Sequence, residues 1–422
     1  MNNYRMILSA NHTAEFGYKE NGNILVLGQV GTYKTRGHVL PNIMEQDNIS
    51  MVIADTKGEL RAKTEKLLRS KGYVIKAVNF DRPEFTMDYF NPFAYIHTPE
   101  DILATSAILA SEVRGDCHIE PYWDNAAMLL LNTVIAYLVE EVNPEERTLE
   151  SIQKLVSLFR ASESRAKSAL EILFDDLREK NSASFAVKQF DAFNVLSGSE
   201  KTSSCVVSTL LTKFAQFLTP AIERLTGKDT LNFDAIGKTK TALFVSVSDV
   251  DRSKDKLVSI FYNLLLNRLR NVADDQTCGC LPIHTHFFLD DFATNVVIPN
   301  FANYISCLRS REISFTIILQ SEAQLESRYG KADSHTIISN CAYYLFLGSQ
   351  DVETCSEVAK RLNYPLNKVL EKPRNEMYIL GNFRRPIADA VYDVCTHPCY
   401  DKLTNERYYP ENDFEDDFTD GR

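Results

Sequence analysis

The chain lacks an excess of basic charge, a long apolar run, a regular cysteine framework and, but for one residue, tryptophan. Its 422 residues carry 46 Lys and Arg against 57 Asp and Glu, a net charge of -11. Phosphate contacts need Lys and Arg, so this balance argues against a protein that coats nucleic acid with its whole surface. Any DNA contact has to come from a local basic patch, or from a channel formed on assembly. The best apolar candidate, Ala126 to Val139, is too short to span a bilayer and is broken by Asn132 and Thr133. Nine cysteines are scattered without a framework, which fits reduced thiols in a cytosol. The N-terminus has no basic start followed by an apolar stretch, so no signal peptide is read. The expectation is a soluble chain, held at a membrane only by a partner. The one tryptophan, Trp123 beside Tyr122, reads as a core anchor.

What is present starts at Asn23. Asn23-Ile24-Leu25-Val26-Leu27-Gly28-Gln29-Val30-Gly31-Thr32-Tyr33-Lys34-Thr35 reads as a short buried strand, a glycine-bearing loop, and Lys-Thr opening a helix. Backbone N–H groups at a helix N-terminus attract an anion. Lys34 adds a point charge and the Thr35 hydroxyl can reach a magnesium ion. The pattern G-x-x-x-x-G-K-[ST] is met at Gly28, Lys34 and Thr35, with Gly31 inside the loop. Tyr33 stands where the pattern wants its last glycine, so its side chain has to point away from the phosphates or obstruct them. The competing reading is an ordinary strand, turn and helix.

Residues before Asn23 are expected to form an edge strand or an arm. A second buried strand, 48–55, ends on Asp55. Thr56-Lys57-Gly58-Glu59 has the T-x-x-E spacing of a capping box, so Thr56 is expected to start a helix running to about Ser70. Asp55 and Glu59 then read either as caps or as groups at the carboxyl end of a strand, where open α/β sheets bind ligands. A third strand covers 73–78. Strand and helix alternate at short intervals, which argues a parallel α/β sheet. From Thr98-Pro99, a helix start with proline at the first helical position, the period is helical to about Leu218. Trp123 through Val139, Leu149 through Phe159, Ala166 through Leu177 and Ser203 through Phe217 are the clearest segments. Turns are marked by Asn143-Pro144 and by Ser197-Gly198-Ser199.

Strands return at 241–247, and an amphipathic helix follows from Lys256 to Ala273. Thr285-His286-Phe287-Phe288-Leu289-Asp290-Asp291 is an apolar run closing on two acids. In a phosphate-loop enzyme such a strand delivers one carboxylate toward magnesium, and the next can polarise the attacking water. The alternative is an acidic turn. Further strands are read at 313–319, ending on Gln320, at 341–347 and 377–380, with a short one after Arg384-Arg385-Pro386. Cys278, Cys280, His284 and His286 carry four possible zinc ligands, but their spacing fits none of the usual zinc patterns. The tail, 411–422, is acidic and reads as disordered or as a docking peptide for a basic partner. The division expected is a discontinuous nucleotide-binding unit of residues 1–97 and 219–395, an all-helical insertion of 98–218 and an acidic tail of 396–422.

These separated motifs together resemble the type IV secretion coupling proteins, the TraG-like conjugative DNA-transfer ATPases, from about Asn23 to about Tyr392. The resemblance is carried by Gly28 to Arg36 with Val39-Leu40-Pro41-Asn42, and by Asp55-Thr56-Lys57-Gly58-Glu59-Leu60, similar to the family's D-P-K-G-E-L. It is carried also by Phe90-Asn91-Pro92-Phe93, Trp123-Asp124-Asn125-Ala126, and Leu289-Asp290-Asp291-Phe292-Ala293 with Ile298-Pro299. Leu308-Arg309-Ser310-Arg311-Glu312-Ile313 and the 318–325 segment around Gln320 complete it.

The resemblance implies an α/β fold: a RecA-like P-loop NTPase sheet domain with an inserted all-helical domain. It implies ATP and Mg2+ as cofactors and a homo-hexameric ring. It implies single-stranded DNA with its relaxase, and type IV secretion channel proteins, as partners. ATP and its metal would lie on Gly28, Gln29, Val30, Gly31, Thr32, Tyr33, Lys34, Thr35 and Arg36. Lys34 and Thr35 would meet phosphate and magnesium, Asp290 would hold the metal shell, and Asp291 would polarise water. Gln320 would sense the γ-phosphate, and Arg309 or Arg311 could reach a neighbouring subunit's nucleotide or form a surface salt bridge. Three departures stand out: Tyr33 for glycine, Asp291 for the usual glutamate, and a chain starting almost at the loop, without the family's N-terminal membrane helices. The implied place is cytoplasmic, recruited to the inner face of the bacterial membrane. The alternative is a hydrolysis-deficient paralogue that docks substrate or channel proteins. A chromosome-type DNA translocase explains the fold but not the D-x-K-G-E-L and N-P-F segments.

Overall fold

A computed structural model describes residues 3–111, 121–159, 167–197, 200–215, 217–295, 297–381 and 385–404. Among the described residues eleven strands run β1 Tyr4–Ile7, β2 Thr13–Phe16, β3 Ile24–Gly28, β4 Ser50–Ala54, β5 Val74–Asn79, β6 Thr241–Ser246, β7 Thr285–Leu289, β8 Ile313–Leu319, β9 Tyr343–Gly348, β10 Glu376–Gly381 and β11 Ile387–Ala390. Nine of them form one sheet in the order β11-β10-β9-β3-β8-β7-β4-β6-β5. From β9 to β5 every pairing is parallel; β10 and β11 add an antiparallel edge.

The central strands β3, β4, β7 and β8 are buried at every residue. That is why they read as continuous apolar runs rather than as an alternation: helices cover both faces of a parallel sheet. Successive side chains still part to opposite faces. Leu25 and Leu27 join the core shared with Phe287, Phe315 and the helices of the central segment. Ile24 and Val26 join the opposite core with Ile43, Met51 and Phe288.

Among the described residues, every regular element between β5 and β6 is helical. Thr98 caps Pro99–Ala110 by accepting from the Asp101 amide, and Asp101 reciprocates. The apolar period of 123–139 lies within the helix Pro121–Glu141. The side chain of Trp123 lies outside the described residues, as do Gly198, Ser199 and the tail beyond Thr404.

Three expectations are corrected. The residues before Asn23 are neither an arm nor an edge strand of the main sheet; β1 and β2 pair as a separate two-stranded hairpin. Asp389 of β11 holds that hairpin, accepting from the Ser9 hydroxyl and from Asn11 and lying 2.9 Å from His12 Nδ1. Thr56 caps nothing. The helix is Glu59–Ser70, and the residue before it, Gly58, sits at φ 67 in the left-handed region that glycine enters freely. Asp55 takes the capping role instead, accepting from the amides of Leu60 at 3.2 Å and Arg61 at 2.8 Å. The helix expected from Ala166 begins at Ala169, where Ser168 and Glu171 form a capping box.

Candidate nucleotide-binding site

Parallel pairing brings the carboxyl ends of β3, β8, β7 and β4 side by side, so Gly28, Gln320, Asp290 and Asp55 emerge along one edge. Such an edge is where open α/β sheets bind ligands. The loop after β3 is held from below: Gly28 pairs with Gly348, and the Gln29 amide donates to the Gly348 carbonyl at 2.9 Å. Gly31 takes φ 81 with open space around its Cβ position. At Gly28 the packing is the reverse. A Cβ there would meet the Thr32 hydroxyl at 2.3 Å, so a larger residue would have to displace the Thr32 side chain.

Tyr33 occupies the left-handed region at φ 63, as a glycine would, and the residue is 54 % exposed. The ring leaves toward solvent. Among the described residues the amides of Val30, Gly31 and Tyr33 make no hydrogen bond. Free N–H groups in such a loop form a nest for an anion.

Lys34 folds back over the loop. Its ammonium donates to the carbonyls of Gly28 at 2.5 Å and Gln29 at 3.1 Å. Burial lowers its pKa, and Asp291 and Asp290 oppose that shift. The helix then opens with a wide turn, Thr35–Val39, in which the Leu40 amide donates to the carbonyl of Thr35, five residues back. Turns of this width recur at functional sites.

The Thr35 hydroxyl donates to Asp290 Oδ2 at 2.6 Å, joining the loop after β3 to the end of β7. Burial raises the Asp290 pKa; the Thr35 bond and Lys34 act against it. Asp291 sits at φ 48, and Gln320 Nε2 donates to its Oδ1 at 3.4 Å. Two non-glycine residues in the left-handed region, Tyr33 and Asp291, thus flank the same place, and such strain gathers at ligand-holding sites. A hydroxyl and a buried carboxylate are hard oxygen donors of the kind Mg2+ takes, so Thr35 and Asp290 fit that ion.

A cavity of about 590 Å³ opens beside this cluster. Thr35, Arg36, Asp55, Lys57, Asp290 and Asp291 line its polar side, and Leu40, Leu60, Val394 and Leu403 its apolar side. Asp55 is buried, and burial lifts its pKa to about 6. It therefore both caps a helix and borders the cavity, so neither of its two sequence readings excludes the other.

The far wall was not legible in the sequence. The segment 394–404 crosses from the loop helix to Glu59–Ser70 and carries Val394, Tyr400, Asp401 and Leu403 into the cavity wall. Arg36 donates to Cys395 Sγ at 3.3 Å, His397 Nε2 lies 3.2 Å from Glu45, and the Thr404 hydroxyl donates to the Ala62 carbonyl at 2.5 Å. No local periodicity or motif marks such a strap.

Arg311 is placed elsewhere. It lies just before β8, whereas Gln320 follows that strand, and seven strand residues span about 23 Å. Its guanidinium pairs with Asp274, Nε to Oδ1 at 2.8 Å. Arg309 is exposed on the same short turn. The four candidate zinc ligands separate as well. His284 spans Glu312 and Ser314, and His286 spans Ser314 and Thr316, so both ring nitrogens of each are engaged.

The fold and the loop–carboxylate contact define a RecA-like P-loop nucleotide-binding fold with an all-helical part. Residues 3–364 match the family described as type IV secretory system conjugative DNA transfer, and the chain belongs to that family, the type IV coupling proteins. The protein VirD4 of Rhizobium radiobacter is 24 % identical over 354 residues, covering 81 % of this chain and 48 % of VirD4. The chain thus spans about half the length of the curated relative it matches. Among solved structures, the plasmid coupling protein TrwB in complex with ADP and Mg2+ superposes with a TM-score of 0.62 at 17 % identity, over 89 % of this chain and 86 % of that one. TrwB in complex with a non-hydrolysable ATP analogue gives 0.63 at 16 % identity, over 89 % and 86 %. VirB4 of Thermoanaerobacter pseudethanolicus gives 0.53 at 13 % identity, over 92 % and 96 %. Among the described residues no single helix is long and apolar enough to cross a membrane.

Proposed function

We propose that this chain binds ATP with Mg2+ on the loop Gly28 to Arg36 and is the ATP-driven motor unit of a conjugative coupling protein. The observation that carries this reading is the 2.6 Å bond from Thr35 to Asp290, which puts the loop and the acidic strand end at one site. Nucleotide-bound TrwB, a protein of like fold, supports it. The loop amides and Lys34 hold the phosphates. Thr35 and Asp290 hold Mg2+, which when bound neutralises charge on the transferred phosphoryl group. Asp291 accepts a hydrogen bond from the attacking water and orients it. Gln320, already bonded to Asp291, reports the γ-phosphate to the helix that follows.

In this reading the chain assembles as a homo-hexamer and takes up single-stranded DNA with its relaxase. It passes them to the type IV secretion channel at the inner face of the cell membrane, and channel partners supply the membrane contact. Residues 98–218 form an all-helical domain inserted into the nucleotide-binding unit, and the acidic stretch 411–422 docks a basic partner. Arg311 acts on a neighbouring subunit's nucleotide.

A second reading, a docking module that does not hydrolyse ATP, is favoured by one observation. Asp291 is a methylene shorter than glutamate and is held in the left-handed region, and small misplacements of a water-orienting group cost much rate. Steady-state phosphate release, with and without single-stranded DNA, separates the two. The motor reading predicts turnover stimulated by single strands and lost in Asp291→Asn, with ATP binding kept. Equal phosphate release from parent and Asp291→Asn supports the docking module.

A further inference from the structure

The nucleotide site leaves one motif of the sequence unabsorbed, the run from Cys278 to His286. Its histidines are satisfied by Ser314, Thr316 and Glu312, as described above. Its cysteines face each other instead. The two Sγ atoms are 2.8 Å apart, closer than two unbonded sulfurs normally rest. Gly279 between them takes φ 65, with nothing within 4 Å of its Cβ position. That turn brings two side chains, separated by a single residue, onto one side of the chain.

The partners of the two sulfurs differ. Cys278 is exposed and Cys280 is buried. The hydrogen bond from the Cys280 side holds the Cys278 thiol below its ordinary pKa, and Lys19 adds to the effect. The Lys19 ammonium donates to the Cys278 carbonyl at 3.3 Å. Tyr18 Oη lies 3.4 Å from Cys280 Sγ. An exposed thiol whose pKa is lowered, backed by a second thiol in reach, is the arrangement of an attacking and a resolving cysteine.

We propose that Cys278 and Cys280 form a reversible dithiol–disulfide site whose co-substrate is a low-molecular-weight disulfide such as oxidised glutathione. The Cys278 thiolate attacks one sulfur of the small disulfide and expels its first half as a thiolate. The Cys280 sulfur then attacks Cys278 Sγ in the mixed disulfide. The Cys278–Cys280 bond forms, the mixed bond breaks, and the Cys280 proton leaves with the second half as a thiol. Two protein sulfurs are oxidised and one small disulfide is reduced, so electrons balance without a metal. The turn lies just ahead of β7, whereas Asp290 follows it, and the five strand residues between span about 17 Å. The site is therefore separate from the phosphate loop. What it touches is the N-terminal segment, through Tyr18 and Lys19.

The full chain is equilibrated in glutathione buffers of graded oxidised-to-reduced ratio, quenched with an alkylating reagent, and the peptide holding both cysteines is weighed. The expected result is loss of both alkyl groups together as the ratio rises, reversed by excess reduced glutathione. In Cys280→Ser, glutathione should accumulate on Cys278 as a stable mixed disulfide. In Cys278→Ser, the peptide should remain alkylated at Cys280. Two other results would overturn the proposal: alkylation of both thiols across the whole series, or a mixed disulfide on Cys278 that persists in the parent chain.

Discussion

Tyr33 offers a direct test of the loop, because strain and side-chain direction are both specified there. Its φ of 63 is one that L-residues occupy at a cost of about 1–2 kcal/mol. The residue is more than half exposed, so removing the ring forfeits little burial. Tyr33→Ala keeps the strain, and Tyr33→Gly removes it. At an ordinary position glycine is worse than alanine by roughly 0.5–1 kcal/mol. Here the order should invert, with Tyr33→Gly more stable than Tyr33→Ala by about 1 kcal/mol. At a urea slope of about 3 kcal/mol/M that moves the unfolding midpoint by about 0.3 M. Urea titration of the three chains, followed by far-UV circular dichroism, reads it. Because the ring leaves the loop on the solvent side, neither variant should lose nucleotide affinity. A Tyr33→Gly midpoint at or below that of Tyr33→Ala would refute the left-handed placement, and a large gain in affinity would show the ring in the phosphate cradle.

Asp55 carries a pH signature. Its pKa is about 6 folded and about 3.9 unfolded, so the folded state binds the proton more tightly. The stabilisation is complete below about pH 4 and is lost as pH rises through 6. Asp55→Asn has no such dependence, so its stability relative to the parent should improve from pH 4 to pH 7 by on the order of 3 kcal/mol, read by urea unfolding at both pH values. Parallel curves would mean that Asp55 keeps an ordinary pKa. Arg311→Ala should cost less than about 1 kcal/mol of stability, since its pair with Asp274 is partly exposed. If Arg311 serves a neighbouring subunit, mixing Arg311→Ala with Lys34→Ala chains should restore turnover that neither has alone; no restoration removes it from the site.

The sheet was legible because burial writes itself into composition. β8 is seven buried residues in a row, and its ends were read at Ile313 and Leu319. The strand, loop and Lys-Thr order and the apolar run into Asp290 were both read as candidates for one site, and the structure brings Thr35 and Asp290 within 2.6 Å although they are 255 residues apart in the chain. Backbone sign was not legible. The T-x-x-E spacing at Thr56 looked like a cap, but Gly58 in the left-handed region precedes the helix, which starts at Glu59, and Asp55 takes the free amides. The direction of the Tyr33 ring depends on the same kind of dihedral. The hairpin of β1 and β2 was missed because four-residue strands carry too little alternation to register. The strap from Val394 to Thr404 was missed because it is held by single contacts, Cys395 to Arg36 and His397 to Glu45, rather than by a period.

Binding of Mg2+-ATP by calorimetry, in the parent chain and in Lys34→Ala, bears most directly on the site. Lys34 supplies the buried ammonium at the loop, and removing one partner of such a charge contact costs about 2–5 kcal/mol, a loss of at least about thirtyfold in affinity. The account predicts saturable one-site binding by the parent and a loss of that size in Lys34→Ala. Equal affinities in the two chains, or no binding by either, would contradict it.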